Sequence, residues 1–479
     1  MSVDPSSENK EKPGQIRYVD LYEAESKIYV RKISGFYQSI RRYTGLPLIL
    51  AFLLIPWFVI DGRAAIFFDL PARKFHVLWI TFWPQDFMLL AWALIISAFT
   101  LFTVTVLVGR VWCGFTCPQT VWTLMFISVE RICEGDRNKR IKLDKQPWNA
   151  EKVFKKGSKH AIWVLIAFIT GVTFVGYFTP IRELLLGLVP HRSDSGMLVI
   201  SAQPAAAFWT LFFTGMTYLN AGWMREQVCK YMCPYARFQS VMYDADTLAV
   251  YYDEKRGEKR GPRKIGDDYQ SKGLGDCIDC SWCVQVCPVD IDIRDGLQFE
   301  CINCGLCVDA CNSVMDKMSY PRGLIRYTSA DALQTGKTHF VRPRLFGYIF
   351  VVLVMMGAFS YYLIAREPLS VDVLRDRGAR MYRLSGSEIQ NVYTVKINNM
   401  DSQPHRYKLS VEGDYNFSIK GYRPMEVEAG EVFTLPLRIT VPKSTLDTEK
   451  TDVRLTVTAE DDPELQAVEA TLFMGPGKP

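Results

Sequence analysis

The sequence predicts a multi-domain membrane protein: an α-helical bundle of about five transmembrane helices, a small cysteine-rich module beside it, and a C-terminal β-sandwich. Three observations lead there. Apolar runs of membrane-spanning length recur, twelve of the 13 cysteines sit in tight groups between Cys113 and Cys311, and beyond residue 365 the apolar residues alternate with period two. The averages hide this segregation. With 49% hydrophobic and 22% charged residues the chain is too apolar to be disordered, and it is too long and too cysteine-poor for a disulfide scaffold. A mean hydropathy of +0.02 alone would suit a large soluble enzyme.

In chain order, residues 1–42 form a polar tail without the apolar core of a signal peptide, so the first span must itself direct insertion. Residues 43–239 hold four predicted spans. Runs 87–108 and 161–178 contain no charge; run 46–60 is shorter, carries Pro47 and Pro56, and is extended by 43–45; run 197–223 is interrupted by Gln203 and Pro204. A hydrocarbon core about 30 Å thick needs roughly 20 apolar residues, and prolines are tolerated where neighbouring helices satisfy the freed carbonyls. The fifth predicted span is 343–364, uncharged from 345 onward. Lysine and arginine set the orientation: residues 110–159 carry 11, against three in 61–86 and two in 181–198. The basic loop is therefore expected in the cytoplasm, with the N-terminus and residues 240–342, and residues 365–479 on the opposite side.

Two kinds of cysteine site stand out. Arg110-Val-Trp-Cys113-Gly-Phe-Thr-Cys117-Pro118 follows the second span, and Arg225-Glu-Gln-Val-Cys229-Lys-Tyr-Met-Cys233-Pro234 follows the fourth. Both are C-x3-C-P with an arginine three or four residues earlier. An i, i+4 helical spacing puts each pair on one face, and a repeated span pair would bring all four thiols together at the membrane interface. Such a soft site suits Cu(I), with Met224 and Met232 as further thioether donors. Interfacial thiols without a metal, a zinc site and ligands to a third iron–sulfur cluster are the competing readings. Residues 120–132 are apolar but too short to span, so they are read as an interfacial or re-entrant helix, or a packing helix. The solitary Cys133 is read as structural.

The second kind lies in residues 240–342. Cys277, Cys280, Cys283 and Cys287, then Cys301, Cys304, Cys307 and Cys311, repeat the spacing C-x2-C-x2-C-x3-C of a bacterial-type dicluster ferredoxin. In that arrangement three thiolates of one motif and the last of the other hold each [4Fe–4S] cubane. Cys277, Cys280 and Cys283 are thus paired with Cys311, and Cys301, Cys304 and Cys307 with Cys287. Structural zinc fits poorly, because zinc fingers separate their ligand pairs by a dozen or so residues. Asn312 stands where the first motif has Pro288, a change in a turn and not in a ligand. Clusters need a compartment that keeps thiols reduced, which agrees with the loop charges.

Residues 365–479 alternate at 392–397, 407–411, 435–441 and 453–457, with turn-rich segments between. This predicts an immunoglobulin-like β-sandwich of about 100 residues. It lacks inter-sheet cysteines and any catalytic constellation, which leaves a solubilising cap or a docking domain. His76, His160, His191, His339 and His405 are scattered and offer no haem pair, and no Walker or dinucleotide fingerprint is present. Electrons must come from elsewhere, a quinol or a soluble reductant. The net charge of +5 reads as an inside anchor, not a nucleic-acid surface.

With these motifs in this order, nearly the whole chain beyond the tail resembles the cytochrome c oxidase accessory protein family called CcoG, FixG or RdxA. The resemblance implies a cupric reductase of the bacterial inner membrane, with a periplasmic C-terminal domain, that makes Cu(I) for assembly of cbb3-type cytochrome c oxidase. On that basis Cys113, Cys117, Cys229 and Cys233 would be the catalytic, copper-binding residues, and the eight ferredoxin cysteines would hold two [4Fe–4S] clusters that deliver electrons. Implied partners are the lipid bilayer, copper ions, oxidase assembly factors or a copper chaperone, and an electron donor the sequence does not identify. Nucleic acid is not among them. Two other readings stand beside this one: a quinol-oxidising electron-transfer subunit of a respiratory chain, and a non-enzymatic assembly scaffold or copper carrier.

Overall fold

The computed structural model describes residues 27–60, 62–83, 86–189, 191–192, 198–199, 201–365, 368–375, 382–401 and 403–476. The chain divides into two units between Phe359 and Ser360. The helices are α1 (Phe36–Leu54), α2 (Phe87–Val108), α3 (Val111–Phe115), α4 (Pro118–Glu134), α5 (Arg137–Lys145), α6 (Ala150–Val175), α7 (Ile181–Leu188), α8 (Pro204–Thr217), α9 (Pro234–Met242), α10 (Glu254–Gly257), α11 (Trp282–Gln285), α12 (Leu306–Met318), α13 (Ala330–Thr335) and α14 (Pro343–Ile364).

Among the described residues four helices are long and apolar enough to cross a membrane: Phe36–Trp57, Phe87–Val108, Ala150–Val175 and Pro343–Ile364. The run expected as a span over 197–223 differs. Leu198–Val199 pairs with His191–Arg192 in a two-stranded hairpin, and α8 begins only at Pro204, lasting 14 residues before the π-helical segment Tyr218–Met224. Residue 197 lies outside the described residues. Gly171 lets the backbones of α6 and α8 approach closely, since a Cβ there would sit 2.7 Å from the Thr210 carbonyl oxygen.

Two helix starts also differ from expectation, and capping explains both. α1 begins at Phe36, inside the predicted tail. The carboxylate of Asp309, on α12, accepts hydrogen bonds from the N–H groups of Tyr37 at 3.2 Å and Gln38 at 2.8 Å. These are donors that a helix N-terminus cannot satisfy by itself. α6 begins at Ala150 because the Asn149 side chain accepts from the Lys152 N–H at 2.8 Å, and its first turns, charged in sequence, find buried partners.

The cysteine-rich module is closed by an antiparallel pair, Ala249–Tyr252 with Ile325–Thr328. Val250, Tyr252, Ile293, Val308, Met315, Leu324 and Ile325 form the core under the first cysteine motif.

The C-terminal unit is a two-sheet antiparallel sandwich. One sheet orders Leu369–Arg375, Glu388–Asn399, Val432–Pro442 and Ser418–Lys420, with Arg383–Ser385 beside Glu388–Asn399; the other orders Met425–Val427, His405–Gly413, Lys450–Ala459 and Gln466–Met474. The expected alternation appears at Leu435, Leu437, Ile439 and Val441 and at Val453, Leu455 and Val457, all buried. Val392 is the exception: Ile389, Tyr393, Val395 and Ile397 point inward, so Val392 falls on the opposite face.

His405 gives this domain a pH response. Its ring bridges Asp461 (Nδ1, 2.7 Å) and Asp401 (Nε2, 2.9 Å). Burial alone would lower its pKa, but the two carboxylates outweigh that and raise it. A raised imidazole pKa contributes stability that is full below about pH 6.5 and fades as pH rises through the folded value. The domain's thermal midpoint should therefore fall between about pH 6 and pH 8, and His405→Gln should flatten that slope. An equal slope in the variant would show that His405 is not the group responsible.

Candidate iron–sulfur and thiol site

The eight ferredoxin cysteines fold around two small adjacent cavities of about 20 Å³ each. The first is lined by Cys277, Cys280, Cys283 and Cys311, and the second by Cys287, Cys301, Cys304 and Cys307 with Cys283 on its wall. The chain therefore brings together the same two crossed sets that the spacing predicts. The backbone repeats as well: Asp279 and Asn303 before α11 and α12, and Ser281 and Gly305 two residues on, all take left-handed conformations. Such kinks turn successive N–H groups inward and form anion-binding concavities. The N–H groups of Trp282 and Asn303 work against the rise that burial causes at the Cys280 and Cys301 thiols.

The chemistry of these donors fits a [4Fe–4S] cubane in each cavity. Burial pushes the thiols of Cys283, Cys301 and Cys311 up to about 12 and that of Cys307 far up. Without a cationic partner these would be neutral thiols crowded around a space. Iron supplies the positive charge that makes four thiolates stable there.

The four cysteines of the two C-x3-C-P motifs also converge. Burial pushes Cys113 and Cys229 up to about 12, and the neighbouring thiols, Cys117, Cys229 and Cys233 for the first and Cys117 and Cys233 for the second, push in the same direction. The expected arrangement on one helical face is not what forms. α3 ends at Phe115 and Cys117 is the N-cap of α4; Cys229 lies in the π-helical segment Val228–Met232 and Cys233 is the N-cap of α9. This explains the Cys-Pro pairs: the cysteine is the N-cap, and proline takes the first helical position, where its missing N–H costs nothing. Burial raises the Cys117 pKa, and the nearby Thr120 and Gln119 N–H groups oppose the rise. Cys113 Sγ donates to Gln239 Oε1 at 3.4 Å, and Gln239 is fully buried. Met232 is 55% exposed, unlike the half-buried thiols.

The arginine of each motif reaches across to the other. Arg110 donates to the carbonyl of Ala236, on the helix after the second motif, and to that of Phe299 in the module. Arg225 pairs with Glu130, on the helix after the first motif, at 2.7 Å. Glu130 also accepts from Arg140 at 2.8 Å, and Glu134 meets Lys156 and Lys159 at 3.0 Å each. This buried network lies on the segment read as an apolar interfacial helix, and Glu130 and Glu134 were missed as its organisers. Glutamates four residues apart at the end of an apolar run, facing a basic loop, were the available signal. Cys133 packs beside Phe126, Val129 and Trp163, as a structural residue should. His339 shares a group with Asp246 and Asp331, their ligand atoms within 4.8 Å of one another, although Asp246 already accepts from the His339 N–H.

Gly114 joins the two thiol systems. A Cβ on it would lie 2.7 Å from the Ile302 carbonyl oxygen and 3.0 Å from both the Asn303 carbonyl oxygen and Cys304 Cα. Cys113, like Cys287, packs against the core that contains Cys301 and Cys304.

Comparison with known proteins follows the same divisions. A family model for a 4Fe-4S dicluster domain matches residues 224–330, one for the IG-like fold at the C-terminal of FixG matches 359–476, and one for a 4Fe-4S binding domain matches 90–126. The chain is 36% identical over 430 residues to nitrogen fixation protein FixG of Rhizobium meliloti (strain 1021), covering 82% of this chain and 80% of that one. It is 38% identical over 457 residues to protein RdxB of Cereibacter sphaeroides, covering 91% and 94%, and 36% identical over 427 residues to protein RdxA of the same organism, covering 85% and 87%.

Proposed function

The chain belongs to the FixG/RdxA family of iron–sulfur electron-transfer proteins, and from that premise we propose that it is a membrane-bound cupric reductase supplying Cu(I) for assembly of cbb3-type cytochrome c oxidase. The observation that carries this reading is the contact of the first C-x3-C-P motif, at Gly114, with the Ile302–Cys304 backbone. Each cubane, when bound by the crossed cysteine sets, stores and releases one electron. Cys113, Cys117, Cys229 and Cys233 hold the copper substrate. Cu(II) gains one electron and leaves as Cu(I), and four soft thiolates favour the reduced ion. Gln239 accepts from the Cys113 thiol and positions it before copper takes the proton's place. Helices α1, α2, α6, α8 with its π-helical continuation to Met224, and α14 cross the bilayer, with the basic residues of 110–159 and the ferredoxin module in the cytoplasm and the sandwich in the periplasm. This orientation rests on loop charge. Oxidase assembly factors or a copper chaperone receive the Cu(I), and a quinol or soluble reductant supplies the electrons.

A second reading is favoured by one comparison. Residues 90–126, which include Cys113 and Cys117, match a 4Fe-4S binding domain, so the four thiols would instead hold a third cluster. Iron content separates the two, about eight atoms per chain for two cubanes against about twelve for three.

The test adds Cu(II) to anaerobically purified, dithionite-reduced and desalted protein. Reoxidation of the clusters with one Cu(I) per electron is expected, and Cys113→Ser with Cys229→Ser should abolish it while leaving iron content unchanged. Clusters that stay reduced would sink cupric reduction, and loss of about four irons in the double variant would favour the third cluster. Quinol-driven cluster reduction that survives loss of all four thiols would indicate a respiratory subunit. Normal oxidase maturation in Cys280→Ser with Cys304→Ser would indicate a scaffold.

A further inference from the structure

Arg41 is a buried cation that the ion-pair network leaves out. It lies on α1, 2% exposed, and its Nε donates to the Gly114 carbonyl at 2.9 Å. Nη1 and Nη2 are both buried without a hydrogen-bond partner among the described residues. The groups whose charge acts on Arg41 are Cys304, Tyr327 and Cys287, with no carboxylate among them. A buried guanidinium without a counter-charge is strongly disfavoured, and its rigid fork presents donors that require acceptors. Cys304 and Cys287 line the second cavity, where a cubane held by four thiolates is anionic and offers sulfur acceptors.

We infer that Arg41 is the counter-ion and hydrogen-bond donor of the cluster held by Cys287, Cys301, Cys304 and Cys307, and that it raises that cluster's reduction potential relative to its neighbour's. The inference rests on the ligand set proposed above. Net charge and hydrogen bonds to the sulfurs are the means by which a protein sets a cluster potential, and Arg41 supplies both. The first cavity has an arginine too, but its charge is spent. Arg294, whose charge reaches Cys283, is held by both oxygens of Asp292 and by Asp279 at 2.5–3.0 Å. The two sites therefore differ in available positive charge. Electrons entering either cluster collect at the one against Gly114, beside the thiols of the C-x3-C-P motifs.

The test is a redox titration of the full-length protein followed by EPR. Arg41→Gln should keep its iron and both cluster signals while one midpoint potential falls and the other stays, and Arg41→Lys should fall between. Two unchanged potentials in a fully loaded Arg41→Gln protein would overturn the inference. Cys304→Ser, measured in parallel, should remove one cluster signal; if both remain, the ligand set is at fault and not Arg41. Should Arg41→Gln fail to load, wild-type protein carrying 15N-guanidinium arginine decides. Pulsed EPR on the signal that Cys304→Ser removes should show a nitrogen coupling, and its absence would overturn the inference.

Discussion

Glu130→Ala is expected to cost about 3–5 kcal/mol of stability, among the largest losses available to a single substitution in this chain. The side chain is 1% exposed and receives Arg140 at 2.8 Å and Arg225 at 2.7 Å, with Lys159 at 3.9 Å. Truncation leaves two guanidinium groups buried beside one another with no counter-charge. That cost reaches the thiol site through Arg225, whose backbone sits at φ 37°, a strained value for a residue other than glycine. The strain is held in place by Arg225 Nε to the Gly222 carbonyl and by Gln119 Nε2 to the Arg225 carbonyl, at 2.8 and 3.2 Å. Releasing Arg225 should loosen the approach to Cys229, so Glu130→Ala should lose copper turnover at temperatures where it is still folded. Glu130→Gln keeps an acceptor and should lose less. Burial works to raise the Glu130 pKa, but Arg225, Arg140 and Lys159 together hold it below the usual carboxylate range. Its contribution is therefore present above about pH 4.5 and lost as pH falls through the depressed value, a slope that Glu130→Gln should not share. Thermal unfolding in detergent measures both effects; a Glu130→Ala loss under about 1 kcal/mol would mean the network reorganises around the gap.

What could be read from the sequence divides by how local each cause is. The ferredoxin sites are legible because one cubane's ligands are spaced within a few residues, and the crossed fourth ligand follows from a repeated pattern. The uncharged run 87–108 coincides with α2 because composition alone decides it. The start of α1 was not legible, because the carboxylate that caps it is 272 residues away. The repeated arginines were visible, but their exchange between motifs depends on a packing that brings α4 and α9 beside each other's loops. In the sandwich, Val392 and Tyr393 compete for the inward position. The larger ring wins because the register with Val432–Pro442 places Tyr393 opposite Leu437. Arg41 reads as part of a polar tail until α1 is seen to seat it against Gly114.

Gly114→Val is expected to break the link between the clusters and the C-x3-C-P thiols while both clusters remain loaded. Gly114 does not need glycine for its backbone angles, since it lies within α3 and is not among the positive-φ residues. The requirement is spatial. All three atoms that a Cβ would meet within 3.0 Å are backbone atoms of Ile302, Asn303 and Cys304, so no side chain can swing aside to make room. The loop carrying Cys301 and Cys304 must then part from α3, and the hydrogen bond from Arg41 to the Gly114 carbonyl parts with it. Overpacking of this kind costs about 1–3 kcal/mol, which a domain of this size survives, whereas tunnelling rates fall steeply with separation. Gly157→Val supplies the control, because nothing lies within 4 Å of a Cβ at that position. In stopped-flow reoxidation by Cu(II), Gly114→Val should therefore slow far more than its loss of thermal stability would suggest, and Gly157→Val should not slow. A Gly114→Val protein with full iron content and unchanged reoxidation would mean that electrons leave the clusters by another route. In that case the contact at Gly114 serves packing, and cupric reduction by the four thiols would lose its main support.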